Sequence, residues 1–268
     1  MDLNLTGKYA VVSGGAKGIG SAIVKSLSNE GVNVAIIDID SDASDSLILN
    51  LRSDGVNCLS IVADLTDTEA CSFAINQILE WSDGTLDLVV NNAGVNDSIN
   101  LTDGPEKFQL SLDRNLLHAY CLVHYGLNAL KKSKGSILNI SSKVAQTGQG
   151  GTSGYAAAKG AINGLTREWA VDLAPFGIRV NAIAPAEVMT PLYKSWIDSH
   201  PEPDEILTLI QEQIPLGHRM TTKEEIADLA TFILSPKSSH TTGQIFNPDG
   251  GYVHLDRSCT SSICRELS

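Results

Sequence analysis

Seven short runs rich in β-branched and other apolar residues punctuate the chain: Tyr9–Ser13, Val32–Asp38, Cys58–Val62, Leu86–Val90, Ser136–Ser141, Ile178–Ile183 and Gln244–Phe246. Runs of this length without strict polar alternation suit strands buried on both faces. Between them, Ile19–Glu30 and Thr68–Trp81 place apolar residues three and four apart with polar ones in between, the pattern of amphipathic helices. Phe108–Leu130 reads as a further, longer helix. Parallel neighbours need crossover connections, and these are overwhelmingly right-handed. The alternation therefore predicts an α/β fold: a doubly wound (Rossmann) seven-stranded parallel sheet with helices on both faces, in a single domain over residues 1–257. Within it Thr190–Met220, interrupted by Pro191, Pro201, Pro203 and Pro215, reads as a lid over the substrate. Residues 258–268 lose periodicity and form a tail, either loose or docked on another subunit.

Composition agrees with a folded domain, at 43% hydrophobic and 19% charged residues over 268 positions. Nineteen basic against thirty-one acidic side chains give a net charge of −12. Such a surface repels nucleic acid and anionic membranes, and the plainest use of the acidity is solubility. A cofactor pocket can still be locally positive. Cys58, Cys71, Cys121, Cys259 and Cys264 form neither a CxxC pair nor a metal-ligand spacing, so they read as buried or tail thiols and no metal is expected. With no basic leader ahead of an apolar stretch and no run long enough to span a bilayer, a cytoplasmic protein is expected.

The chemistry begins where the first strand ends. Ser13-Gly14-Gly15-Ala16-Lys17-Gly18-Ile19-Gly20 leads straight into a helix, so the backbone can approach a pyrophosphate while the helix N-terminus offers amides and partial positive charge. Ordinary tight turns use glycine too; the placement between strand and helix is what favours a dinucleotide. Asp38 ends the second strand about twenty residues later, where a carboxylate accepts the adenosine ribose hydroxyls and repels a 2′-phosphate. Lys17 argues for the phosphate, but close repulsion excludes a ligand more firmly than one flexible cation recruits it. NAD is therefore expected over NADP. Ile39 follows Asp38, Asp64-Leu65 ends the third strand, and Asn91-Asn92-Ala93-Gly94 ends the fourth. All fall on the carboxyl edge of the sheet, where open α/β folds bind ligands. Asp64 can meet the adenine amine, and Asn91, Ala93 and Gly94 leave room for ribose, although each could equally be a turn former or cap.

Tyr155-Ala156-Ala157-Ala158-Lys159 lies in a helix-prone stretch, and its i,i+4 spacing puts phenol and ammonium on one face. A neighbouring cation and the charge of an oxidised nicotinamide stabilise phenolate; lowering the phenol by three units would correspond to about 4 kcal/mol. Tyr155 would then serve as a general base near neutral pH.

From about Leu3 to Arg257 these motifs resemble the short-chain dehydrogenase/reductase family. The family's glycine motif is similar to Gly14/Gly18/Gly20, its strand-four motif to Asn91-Asn92-Ala93-Gly94, and its tetrad to Asn115, Ser142, Tyr155 and Lys159, with thirteen positions from Ser142 to Tyr155. The resemblance implies that Tyr155 is the acid/base and that Lys159 holds the nicotinamide ribose. It implies that Ser142 bonds the reacting oxygen and Asn115 anchors a relay water. Read alone, Ser142 could be a turn serine and Asn115 a buried amide. Two departures stand out: Ser13 for Thr, which keeps the hydroxyl, and Pro185-Ala186 for Pro-Gly, which puts the local turn in question. Thr190 fits the carboxamide-binding position, with Val188 offering backbone groups. A homotetramer is also implied, through Phe108–Leu130, the helix after Tyr155, and Gly243–Tyr252 with the C-terminal segment, His254 and Arg257 reaching a neighbour's pocket.

More narrowly, Asn91–Asp97, Pro185–Tyr193, Ser239–Gly243 and Gly250–Arg257 resemble bacterial L-fucose dehydrogenases. The implied reaction passes hydride from the anomeric C1 of an aldose to NAD and leaves a lactone. Asn96, Lys143, Gln149, Glu187 and Trp196 would supply polar and aromatic contacts to a sugar, together with Ser142 and Tyr155. Glu187 is a sugar-hydroxyl acceptor or a salt-bridged surface carboxylate, and Trp196 a sugar platform or lid packing. Another sugar, a polyol or a hydroxy acid remains open as substrate, and so does a non-catalytic NAD-binding regulator.

Overall fold

The computed structural model describes residues 1–255. Arg257, Cys259, Cys264 and the tail 258–268 lie outside the described residues. The strands are β1 (Tyr9–Ser13), β2 (Asn33–Asp38), β3 (Cys58–Val62), β4 (Leu88–Asn91), β5 (Ser136–Ile140), β6 (Arg179–Ile183) and β7 (Ile245–Phe246). They form one seven-stranded sheet in the order β3-β2-β1-β4-β5-β6-β7, and every ladder is parallel. The order reverses between β1 and β4, which opens a crevice at their carboxyl ends.

Alternation along each strand feeds two cores. Ala10, Val12, Val34, Ile36, Leu88, Val90, Leu138 and Ile140 point to one face. Val11, Ala35, Ile37, Val89 and Ile137 point to the other. Helices α1 (Gly18–Asn29), α2 (Ser41–Ser53) and α9 (Lys223–Leu234) cover the first face. Helices α3 (Thr68–Trp81), α5 (His118–Ser133) and α6 (Ser153–Leu173) cover the second. Helix α4 (Pro105–Leu112) precedes α5, while α7 (Pro191–Asp198) and α8 (Pro203–Glu212) occupy the stretch read as a lid. Among the described residues no helix is long and apolar enough to cross a membrane.

The expected uninterrupted helix Phe108–Leu130 is corrected in one respect. Between α4 and α5 the backbone widens into a π turn at Asp113–Leu117, with Asn115 buried inside it. Asn115 explains the turn: its Oδ1 accepts from Val95 N at 2.7 Å and its Nδ2 donates to Ser111 O at 2.9 Å. The side chain thus ties the loop after β4 to the helix and competes with regular i→i+4 bonding.

Helix α6 is moored to the sheet by buried polar groups. Asn91 Nδ2 donates to Asn139 Oδ1 (2.8 Å), Asn139 Nδ2 donates to Thr166 Oγ1 (2.9 Å), and Thr166 Oγ1 donates to Ile162 O (2.8 Å). Such groups are costly to bury unpaired, so the string fixes α6 in one register against β4 and β5. At the amino edge of the sheet, Arg179 donates to the carbonyls of Ile233, Leu234 and Ser235 and so closes the end of α9. A cavity of about 200 Å³ beside it, lined by Lys8, Asp87 and Lys134 among others, lies at the opposite edge from Ser142 and Tyr155.

His118 opens α5 and is 2% exposed. Burial, with the Lys159 ammonium adding to it, pushes its imidazole down to about 4 from an ordinary 6.5. The folded state therefore refuses a proton that the unfolded chain takes up. Stability from this group is complete above pH 6.5 and is lost as pH falls towards 4. The loss should amount to about 3 kcal/mol. Denaturant titrations between pH 7 and 4 are expected to show this slope in the wild type and a flatter one in His118→Leu.

Candidate active site

The glycine turn between β1 and α1 is shaped by contact with itself. A Cβ on Gly20 would come within 2.1 Å of Gly14 O, so only glycine lets the helix start so close to the strand end. No side chain caps α1 and no acidic residue stands in its first turn, which leaves the helix end suited to an anion. Ser13 does the work expected of the usual threonine: its Oγ accepts from Asn92 N (3.0 Å) and Ala93 N (3.1 Å) and donates to Val90 O (3.3 Å). Asn92, quoted in the sequence motif without a role, donates through Nδ2 to Ser13 O and Gly14 O. It stitches the two loops on either side of the crevice.

Asp38 accepts from Ala16 N through Oδ2 (3.0 Å) and from Asp40 N through Oδ1 (3.1 Å), so its carboxylate is aimed at the glycine loop. Lys17 is paired with Asp40, which answers its charge. That hydrogen-bonded pairing raises the lysine and lowers the aspartate from their ordinary values. Ile39 is 69% exposed beside them, while the Leu65 side chain is buried in the second core. Asp64 accepts from Thr66 N and Oγ1, a turn that holds its carboxyl below the usual range. The Asn91 amide faces Asn139 in the interior. Gly94 brings the loop after β4 against the expected tetrad: at φ +152° a Cβ would lie 2.8 Å from Asn115 Oδ1 and 3.4 Å from Lys159 Nζ.

Tyr155 and Lys159 share one face of α6, with the ammonium 5.5 Å from the phenol ring centre. Lys159 is buried and donates to Ile140 O at 2.8 Å, while Ser141 Oγ donates to Lys159 O at 3.2 Å. Ser142 follows and hydrogen-bonds the Tyr155 side chain. In the protein by itself the neighbouring Lys159 does not lower the phenol. Burial pushes Tyr155 up to about 12, with the Ser142 bond pulling the other way. Burial likewise pushes Lys159 down to about 8. The reason is desolvation, which disfavours both charged forms, and the ammonium is turned to a carbonyl rather than resting on the phenol oxygen.

Beyond Ser142 lies a polar cluster. Glu187, 6% exposed, is paired with Lys143 and accepts from the Tyr193 hydroxyl at 2.6 Å. The Lys143 ammonium stands 4.4 Å from the centre of the Tyr252 ring, and burial pushes it down to about 8. Burial raises Tyr193 to about 12, the nearby Tyr252 adding to it. The reading of Glu187 as a salt-bridged surface carboxylate is met in its lysine partner but not in its exposure, since the side chain is buried. Glu187, Gln213 and Tyr252 form the polar side of a cavity of about 260 Å³, with Trp196, Ile206, Leu209 and Ile210 on its apolar side. The α8 wall is more apolar than the sequence-derived set suggested. Trp196 is 48% exposed and meets the Tyr193 ring edge-on at 5.4 Å.

Other expected residues are engaged in structure. Asn96 Oδ1 accepts from Thr152 Oγ1 and Ser98 N, Gln149 is exposed, and the Pro185 carbonyl accepts from Lys143 N. Ala186 has no positive φ, so the Pro-Ala turn is unstrained. Val188 bridges Thr221, and Thr190 caps α7 by accepting from Tyr193 N while its methyl approaches Gly18. Tyr193 and Tyr252 were not singled out for the site. Both stand within stretches that carry the narrower resemblance, Pro185–Tyr193 and Gly250–Arg257, but nothing local pairs Tyr252 with Lys143, 109 positions earlier.

Comparison with known proteins agrees with this arrangement. Residues 14–253 match the family described as enoyl-(acyl carrier protein) reductase. An L-fucose dehydrogenase of Rattus norvegicus is 34% identical over 98% of this chain and 96% of its own length. An L-xylulose reductase of Bos taurus is 36% identical over 94% of this chain and 99% of its own. The crystal structure of Cj0485 dehydrogenase superposes with a TM-score of 0.91 at 45% identity, covering 96% of this chain and 98% of that one. With its glycine turn, its Ser142–Tyr155–Lys159 set and these relatives, the chain belongs to the short-chain dehydrogenase/reductase family and is an oxidoreductase acting on CH–OH groups.

Proposed function

We propose that the protein oxidises the anomeric C1 hydroxyl of a neutral aldose of the L-fucose kind to its lactone, with NAD as hydride acceptor. The observation that carries this reading is the part-buried Lys143–Glu187–Tyr193 cluster, which begins next to Ser142 in the chain and reaches the cavity wall at Glu187. It offers several fixed hydrogen-bonding groups, as a polyhydroxy substrate needs. Because Glu187 answers the Lys143 charge, the cluster holds no uncompensated cation for a carboxylate, which favours a neutral sugar over a hydroxy acid. The wall of Ile206, Leu209 and Ile210 suits the methyl group of a 6-deoxy sugar. Two relatives named above carry sugar names, L-fucose dehydrogenase and L-xylulose reductase.

The residues fit a dinucleotide. The self-contacting Gly14–Gly20 turn, the uncapped start of α1, Asp38 and Thr190 would hold it, with Lys159 at the nicotinamide ribose. When bound, NAD supplies the acceptor for the hydride leaving C1. Ser142 orients the reacting oxygen, and Tyr155 takes its proton in oxidation or returns it in reduction. Lys159, whose stem shares the Tyr155 face, supplies positive charge near the developing phenolate. Asn115 fixes the 94–95 loop through both ends of its amide. The intact tetrad speaks against a silent NAD-binding regulator.

For Tyr155→Phe, turnover should fall by about 10²–10⁴-fold while NAD binding, read by calorimetry, is retained. Burial favours the protonated phenol, so kcat/KM for oxidation should climb with pH across the alkaline range as phenolate forms, and the reverse reduction should decline. A pH profile that stays flat in the wild type would count against Tyr155 as the base.

Asp38, joined by Asp40 on Lys17, places negative charge where a 2′-phosphate would enter. Like charges about 4 Å apart repel by about 1 kcal/mol in water and about 4 kcal/mol in a partly screened site. NAD should therefore be preferred over NADP by about ten- to a thousandfold in kcat/KM, and Asp38→Asn should shrink that ratio. Equal use of both cofactors by the wild type would remove the role given to Asp38.

Exposed Tyr120 and Tyr125 on α5 and Val171 on α6 support the reading of these helices as subunit contacts of a homotetramer. Light scattering at assay concentration should return four times 28.5 kDa; a monomer would sink the assembly.

A further inference from the structure

We infer that Glu187 reads a vicinal diol of the substrate, and that Tyr193 is the residue that positions it. This deepens, and rests on, the sugar reading above. A carboxylate has two oxygens and about four acceptor directions. One donor already occupies each oxygen: Lys143 Nζ on Oε1 and the Tyr193 hydroxyl on Oε2. Each oxygen keeps further acceptor capacity, and Glu187 lies on the cavity wall.

The carboxylate is held from both sides. Tyr193 is the first-turn residue of α7 whose amide Thr190 Oγ1 accepts, and its ring is braced edge-on by Trp196 at 5.4 Å. Lys143 is braced by the Tyr252 ring. With rotation blocked, the remaining acceptor directions form a fixed pair rather than two independent ones. Adjacent hydroxyls of a pyranose can donate to such a pair together; a single hydroxyl leaves one acceptor unmet in a buried site. A site built this way rejects an analogue that lacks one partner far more strongly than an apolar pocket rejects a missing methylene. Tyr193 acts through Glu187 and is a positioning residue.

The test uses full-length enzyme with NAD, the best aldose of a panel, and its monodeoxy derivatives, each lacking one ring hydroxyl. Wild type should lose about 10–100-fold in kcat/KM at two adjacent positions and little elsewhere. In Glu187→Gln that paired sensitivity should vanish. In Tyr193→Phe, which keeps the ring on Trp196, KM for the parent sugar should rise about tenfold with kcat within about twofold, while KM for the two sensitive deoxy sugars stays put. If Glu187→Gln fails to fold, as judged by thermal unfolding, the Tyr193→Phe comparison decides alone. A wild type that oxidises aldoses with no adjacent sensitive pair, or variants that lose equally on every derivative, overturns the inference and leaves the sugar reading standing. Oxidation of simple secondary alcohols but no aldose overturns both.

Discussion

The mooring of α6 on the carboxyl end of β5 is the constraint on which the site depends. Lys159 carries its ammonium into the interior and meets Ile140 O there, while Ser141 Oγ returns a bond to the Lys159 carbonyl. A buried cation without such a partner would cost several kcal/mol, so the helix has one favourable seat. The Asn91–Asn139–Thr166 string fixes the same helix further along. Because Tyr155 and Ser142 stand on the two elements so joined, their separation follows from the mooring rather than from any contact with substrate. Gly154 lets α6 pass against Ser111, where a Cβ would come within 2.5 Å, and Asn115 draws the loop after β4 to the same point.

Burial that secures the geometry also sets the electrostatics. It moves Tyr155 and Lys159 in opposite directions, each towards its neutral form. At neutral pH the phenol is uncharged, while Lys159, lowered only to about 8, still carries its proton. Protons are therefore handled where new charge appears, in a low-dielectric setting in which each added charge is felt strongly. Acid catalysis by the phenol is favoured directly; base catalysis requires charge from outside the phenol to offset desolvation. Since the neighbouring lysine does not outweigh desolvation, the expected lowering falls to the other charge invoked for it, that of an oxidised nicotinamide.

The sheet, its parallel sense and its functional edge were legible because they rest on local pattern: Thr68–Trp81 coincides with α3 residue for residue, and the strand runs deviate only at their ends. The glycine turn and the Tyr155/Lys159 spacing were legible for the same reason. Hydropathy could not show the π turn at Asp113–Leu117, because apolar positions continue across it and its cause, an amide reaching Val95, is a tertiary contact. Nor could it show that Lys17 is held by Asp40, or that Lys143 and Glu187, 44 positions apart, are partners. Asn91 and Asn96 fit the motif, but their side chains are engaged by Asn139 and Thr152, a distinction that only packing makes.

The cavity combines two demands that usually conflict. An ion pair removed from water is costly unless its remaining hydrogen-bonding capacity is met, yet a pocket for a polar ligand must keep some of that capacity open. Here the cost is limited by shared donors: Tyr193 and Lys143 satisfy one direction on each Glu187 oxygen, and the Tyr252 ring faces the ammonium. The apolar wall from α8 faces what remains open. Since Tyr193 and Trp196 belong to α7 and the wall to α8, the stretch read as a lid supplies both the donor to the carboxylate and the apolar residues facing it.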